Sequence, residues 1–407
     1  MMITRDRKWL GEAGIEKLLT GAMREFQQGQ YRLERLARYR QGKSDIMVRE
    51  RPEGLPNTRM SHGFARYISQ VSAGYLLSQP VHYQDDERPE GVKALCALYA
   101  RAGAEQADTQ LAMAQASFGR AVSLTYQSAA GHMKVACLDP RSAFVVYDDT
   151  VEHKPLMGVL MSLERDALGE TKGGNATVYL PGRCLNWRLT GGFEPAGQVQ
   201  EIAQPFSHVP MVEYLNNEEA HSDFEEVMPL IDAYDLLGSD RVNDRAQFAD
   251  ALLVLTGVIG IGTRENPTDH RAGIRKLRQD RTLSLPDSDA KAEWLVKNPA
   301  EKDIDVLRLA LAADIHKFSM TPDFADERFA GNISGVAIRY KLFCLDQKTR
   351  LKERWFTVGL RERARLAAEW MAKNGLPPVD ADELTISLRR QLPQDQTNQT
   401  QMKMEER

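Results

Sequence analysis

The chain has 407 residues, 42% hydrophobic and 27% charged, with a formal net charge of −4. That length fits two to three domains, and the composition is ordinary for a soluble chain with enough apolar residues for a core. The small net charge hides local asymmetry, so it excludes neither nucleic acid nor protein partners. The four cysteines, Cys96, Cys137, Cys184 and Cys344, lie far apart and show no metal-ligand spacing, which argues against a zinc site and a disulfide framework. The first residues, MMITRDRKWLGEAG, lack the apolar stretch of a signal peptide. The most apolar run, 251–262, is shorter than the ~20 residues needed to cross a bilayer. These features predict a soluble, cytosolic protein with no membrane partner.

In chain order, helical spacing comes first, over 14–41: Ile15, Leu18, Leu19 and Met23, then Tyr31, Leu33, Leu36 and Tyr39 interleaved with arginines. Residues 42–60 are polar and turn-rich. Helical patterning returns from His62 to Leu77 and stops before Pro80. An alanine-rich helix is expected over 104–117. The period then shortens. Phe118–Tyr126, Met133–Leu138, Ala143–Tyr147, Pro155–Leu163, Ala176–Leu180 and Leu185–Leu189 read as strands separated by Gly, Asp and Pro. The first half is therefore α+β.

Residues 223–256 read as one long helix with acids at its start, where they suit the helix dipole. Breakers from Gly260 to Pro299 mark a compact inserted module of small strands and a short helix. A helix follows over 301–320, with Ile304, Leu307, Leu311, Ile315 and Phe318 on one face. Then comes an unusual loop, TPDFADERFAGNISG, before a helix over 334–374 of about 40 residues, roughly 60 Å if straight. Gly375-Leu-Pro-Pro stops it, and the chain ends in a polar segment. Helices this long need a reason: a bundle within the chain, or packing against other copies.

The 334–374 helix carries ten bases, including Arg339, Lys341, Lys348, Lys352, Arg361 and Arg365, against four acids. Repeated i,i+4 basic pairs cost an isolated helix a few tenths of a kcal/mol each. They hint at an external anion or an acidic neighbour; a solvated charged face is the plainer reading. Gly359 is either a kink or an indifferent small residue. The 261–281 segment has six bases, Arg264, Arg271, Arg275, Lys276, Arg278 and Arg281, against three acids. It reads as a docking surface or as a solvated patch.

No catalytic constellation stands out. GVIGIG lacks both the Lys-Ser/Thr of a phosphate-binding loop and dinucleotide-binding spacing. The eight histidines are scattered. Neither a nucleophile elbow nor a zinc-protease motif is present. No enzyme activity, metal or cofactor is expected, although a metal-dependent nucleic-acid enzyme with a non-local carboxylate site stays open, as does a protein-interaction scaffold.

Three stretches carry a family resemblance: HVPMVEYLNNEEAHSDFEEVMPLIDAYDLLGSDRVND (208–244), TPDFADERFAGNISGVAIRYKL (321–342) with KERWFTVGLRERARL (352–366), and, more weakly, YISQVSAGYLLSQPVHY (67–83) with LDPRSAFVVYDD (138–149). The chain resembles the portal proteins of tailed bacteriophages, of the siphophage type. The resemblance implies a portal-like α+β fold with long stem helices, a long kinked helix, an α+β wing and a small α/β clip. Residues 1–222 would form the wing, 223–257 and 301–320 the stem helices, and 258–300 the clip. Residues 321–335 would be the tunnel loop, 336–374 the long wing helix, and 375–407 the end of the wing and a polar tail, with the helical crown of the family reduced or absent.

It also implies a homo-oligomeric ring, twelve copies in the virion, at one capsid vertex. Double-stranded DNA would pass through its channel, and the terminase large subunit and head–tail adaptor would dock on it. Major capsid and scaffolding proteins would be partners, and assembly would occur in the bacterial host cytoplasm. Asp323, Asp326 and Glu327 against Arg328, with Asn332 beside them, would make the loop net negative and keep phosphate from sticking. Arg339, Lys341, Lys348, Lys352, Arg361 and Arg365 would face the channel or a neighbouring subunit, with the acidic 223–235 segment as a candidate counterpart. The bases at 264–281 would serve terminase or adaptor docking.

Overall fold

The computed structural model of the protein describes residues 2–53, 55–165, 167–168, 171–190, 194–248, 252–256, 291–295, 301–324 and 335–390. The chain forms two compact units. One comprises Met1–Ser44, Ser61–Ile231 and Ala312–Arg407; the other comprises Asp45–Met60 and Asp232–Leu311.

The elements run β1 (Ile3–Arg5), α1 (Glu12–Gln28), α2 (Gln30–Arg40), α3 (Phe64–Leu76), β2 (His82–Gln84), α4 (Pro89–Ala102) and α5 (Ala104–Phe118). Eight strands follow: β3 (Arg120–Gln127), β4 (Met133–Leu138), β5 (Ala143–Asp148), β6 (Pro155–Arg165), β7 (Thr171–Leu180), β8 (Arg183–Leu189), β9 (Pro195–Ala203) and β10 (Met211–Leu215). Then come α6 (Met228–Phe248), β11 (Leu252–Thr256), β12 (Lys291–Leu295), α7 (Glu301–Phe318), α8 (Gly335–Lys341), α9 (Phe343–Lys373) and β13 (Thr385–Ser387). The mixed α+β class read from the sequence holds.

In the larger unit, β5 to β9 form an antiparallel meander, and β1 adds to β5 in parallel. A second sheet, ordered β10-β3-β4, is antiparallel. Val122, Leu124, Val145, Val209 and Met211 fill the space between β3, β5 and the segment leading into β10. A Cβ on Gly158 of β6 would lie 2.4 Å from the Met211 sulfur, so only glycine allows this approach. The alanine-rich α5 is buried along most of its length, and its small side chains let α3 and β3 pack close. Helix α9 lies on β10, where Gly359 meets the Tyr214 ring; a Cβ there would come within 2.4 Å of it.

Several expectations need correction. The helix expected over 223–256 ends at Phe248, and Leu252–Thr256 is a strand paired with Lys291–Leu295. LLVLT is short, apolar and rich in strand formers, so periodicity alone cannot tell it from a buried helical turn. The helix expected over 334–374 is interrupted at Leu342, giving α8 and α9. Gly359 is not indifferent: it lies within α9 and seats Tyr214. Helix α4 and strand β9 were not foreseen, although α4 has proline at its start and Gly103 in the left-handed region at its end.

In the smaller unit, Asp45–Met60 straps along α6. Asn243 accepts from the Thr58 amide (2.6 Å) and donates to the Thr58 carbonyl (2.9 Å). Ser239 accepts from the Met60 amide (2.9 Å), and Asp240 pairs with Arg49 (2.7 Å) and Arg51. The spacing of Asp235, Ser239 and Asn243 puts three buried polar residues on one side of α6. The strap supplies hydrogen bonds to two of them.

Candidate functional site: the base of the inter-helix loop

The loop after α7 begins in a socket built from three parts of the larger unit. Helix α7 stops where Met320 takes a left-handed conformation (φ 53°) and the Thr321 amide donates back to the His316 carbonyl (3.1 Å). From α3, the Tyr67 hydroxyl donates to the Pro322 carbonyl (2.7 Å) and accepts from the Phe324 amide (3.1 Å). One phenol thus holds the loop entrance at two backbone groups. The His316 ring stands edge-on to Phe64 and Tyr67, with its Nδ1 3.0 Å from the Thr321 carbonyl and its Nε2 3.8 Å from the Asp323 carboxylate. From α9, the Lys348 ammonium donates to the Ser319 carbonyl (2.9 Å).

Behind this socket lies a buried charge cluster. The Asp223 carboxylate contacts the Lys352 ammonium at 2.7 Å and the Lys348 ammonium at 3.2 Å, and accepts from the Asn216 amide at 3.1 Å. Lys352 also donates to the Ser72 hydroxyl on α3 (3.1 Å) and is 2% exposed. Burial alone would raise the Asp223 carboxyl. The two lysines and the hydrogen bonds from Lys352 and Ser72 outweigh it, and hold the group far below the usual carboxylate range. Burial pulls the Lys352 ammonium down, against the attraction of Asp223. The cluster joins α3, the segment leading into α6, the end of α7 and α9 at one point.

A second buried pair sits further along α9. Arg363 forks onto the Asp108 carboxylate of α5, with its Nη2 3.1 Å from Oδ2, while also donating to the Tyr83 hydroxyl (3.2 Å) and lying 5.0 Å from the Tyr99 ring centroid. The Arg390 guanidinium joins Asp346 (3.2 Å) and Glu353 on α9 and faces the Tyr75 ring, which fixes the returning C-terminal segment.

The cations expected to face a channel or a neighbour therefore divide. Arg339 is exposed and Lys341 half-buried, both on α8. Lys352 lies inside, on an acid of its own chain, and Lys348 spans that acid and the loop base. Arg361 donates to the Ala381 (2.7 Å) and Asp382 (2.8 Å) carbonyls, and Arg365 pairs with Asp382 (2.6 Å) and Glu362. The acid facing the basic helix is thus its own Asp223, and Glu225 of the same acidic stretch pairs with Arg32 (2.6 Å). Of the loop residues, Asp323 is half-exposed at the socket. Asp326, Glu327, Arg328 and Asn332 lie outside the described residues, as do Arg264, Arg271, Arg275, Lys276, Arg278 and Arg281. Sequence reasoning missed Tyr67 and Asp223 because their partners stand far away along the chain, and it missed His316 because helical spacing does not show the turn that brings Thr321 and Asp323 back to it.

Among the described residues, no three His, Cys, Asp or Glu side chains gather as a metal site requires. No described helix is long and apolar enough to cross a membrane. The described geometry centres on the anchored base of a loop between two helices. The chain matches the family model described as "Phage portal protein, SPP1 Gp6-like" over residues 25–407, and it belongs to that family. It is also 26% identical over 186 residues to the portal protein of Bacillus phage SPP1, a match covering 46% of this chain and 35% of that relative. The match therefore spans about a third of the relative's length.

Proposed function

We propose that the protein is the portal of a tailed phage: a homo-oligomeric ring at one capsid vertex whose channel carries double-stranded DNA during packaging and ejection. The ring has twelve copies in the virion. Residues 258–300 form the clip that receives the terminase large subunit and then the head–tail adaptor, while major capsid and scaffolding proteins meet the wing. Assembly takes place in the host bacterial cytoplasm, and the chain has no catalytic activity of its own. Family membership over nearly the whole chain supports this reading.

The observation that carries the role of the loop is its base. Tyr67, His316 and Lys348 grip Ser319–Phe324 from three elements. A segment that meets moving DNA needs such a foundation, so that force on the loop does not unwind the helices beside it. Asp323, Asp326 and Glu327 give the loop a net negative charge that repels phosphate, because neutralising phosphates is what produces tight DNA binding. Arg339 and Lys341, both on α8, are the cations proposed for the channel wall or the adjoining subunit.

Nuclease-protected DNA in assembled heads tests this. The triple variant Asp323→Lys, Asp326→Lys and Glu327→Lys should assemble normally and protect less DNA than wild type, with the defect easing as salt rises. Equal protection at all salt concentrations would mean that the loop does not meet DNA.

A further inference from the structure

Helix α9 is apolar on two faces. One, with Leu345, Phe356, Leu360 and Ala364, is buried in its own unit. Half a turn away, Tyr340 on α8 and Phe343, Leu351, Trp355 and Val358 on α9 follow one another at helical spacing. All five are exposed, Leu351 at 61% and Val358 at 59%. A surface helix ordinarily carries one apolar stripe. A contiguous exposed patch beyond a few hundred Å² marks an interaction site.

We propose that this second stripe is a subunit seam, docking on α7 of a second copy of the chain. The inference rests on the ring reading above and names the surface that would close it. Two observations select the partner. First, α7 carries another exposed apolar patch, with Val306 at 67% and Leu309 at 66% and Leu307 between them. Second, the charges suit a contact between unlike patches. Setting aside Lys348 and Lys352, which are engaged by Asp223, residues 335–354 hold four bases and two acids, whereas α7 holds four acids and three bases. Stripe against stripe would instead set Arg339, Arg350 and Arg354 against their own copies. Contact between two different patches is heterologous and propagates around a ring; stripe on stripe would stop at a two-fold dimer.

The test uses the full chain, with assembly followed by mass photometry against concentration. Leu351→Glu with Val358→Glu should raise the half-assembly concentration more than tenfold while circular dichroism and the thermal midpoint of the unassembled chain stay as in wild type. Val306→Glu with Leu309→Glu should do the same from the other side. Cys344 gives a readout free of substitution: it is exposed next to Phe343, and its thiol should react more than tenfold more slowly once wild type assembles, with exposed Cys96 on α4 as the reference. Wild-type rings with unaffected variants and an equally reactive Cys344 would overturn the seam and leave the ring standing. Loss of assembly in the α9 variant alone would overturn the choice of α7. A wild-type chain that stays monomeric at every concentration, with Cys344 as reactive as Cys96, would overturn both seam and ring.

Discussion

Two buried acids, Asp223 and Asp108, tie α9 to its unit, and they are met by different cations. At the loop end, Asp223 is met by Lys348 and Lys352. Further along, Asp108 is met, among the described residues, by the single cation Arg363. A lysine is a point charge on a flexible stem, while a guanidinium is a flat fork that fixes direction. Lys348 can therefore divide its ammonium between a carboxylate and the Ser319 carbonyl of another element. Arg363, locked between Asp108 and the tyrosines 83 and 99, has one arrangement. The end of α9 beside the loop is held by two cations on one acid, so losing one leaves the other; the far end is held by one forked guanidinium.

The sharpest way to break that contrast is at the far end. Arg363→Ala leaves the Asp108 carboxylate buried without its cation and should cost about 3–5 kcal/mol in urea unfolding. Arg363→Lys should recover little of it. Lys352→Met should cost less, about 2–3 kcal/mol, because Lys348 still neutralises Asp223. Acid sharpens the same point. The folded-state pKa of Asp223 is depressed, so its stabilisation is complete above pH ~4 and is lost as pH falls below that value. The stability gap between wild type and Asp223→Asn should therefore narrow below pH ~4 and stay constant from pH ~5 to ~7.

Between the two pairs stands Gly359. Gly359→Ala pushes a methyl group into the Tyr214 ring and should cost about 1–3 kcal/mol, read as a lower urea midpoint at unchanged slope. The smallest global effect belongs to the socket. Tyr67→Phe removes both hydrogen bonds of the phenol at a half-buried site where water can take their place, so it should cost about 0.5–1 kcal/mol in all. Its clearest readout should be local: limited proteolysis within 321–335 should speed up several-fold while the urea midpoint hardly moves.

Much of the scaffold was legible. The strands from Met133 to Leu189 alternate or run apolar between turn residues, so their positions follow from side-chain period. Strand β9, with the sequence PAGQVQEIA, was not legible, because an edge strand can be polar and still pair through its backbone. The loop between two long helices drew notice as an oddity of pattern, but its socket did not. Tyr67 meets Pro322 across 255 residues, and Lys352 meets Asp223 across 129. Charge on a helix is ordinarily solvated, so Lys352 and Arg363 read as surface residues until the fold supplied acids that make their burial tolerable. For Lys348 and Lys352 the answering acid is Asp223, from the segment leading into α6.

The central claim is that the anchored loop faces the channel of a closed ring. A three-dimensional reconstruction of the purified assembly by electron cryomicroscopy tests it most directly. The account predicts a ring of about 550 kDa for twelve copies of the 45.8 kDa chain. Residues 321–335 should stand at the narrowest part of a channel wide enough for duplex DNA. A ring whose loops point outward, or an assembly with no through-channel, would contradict it.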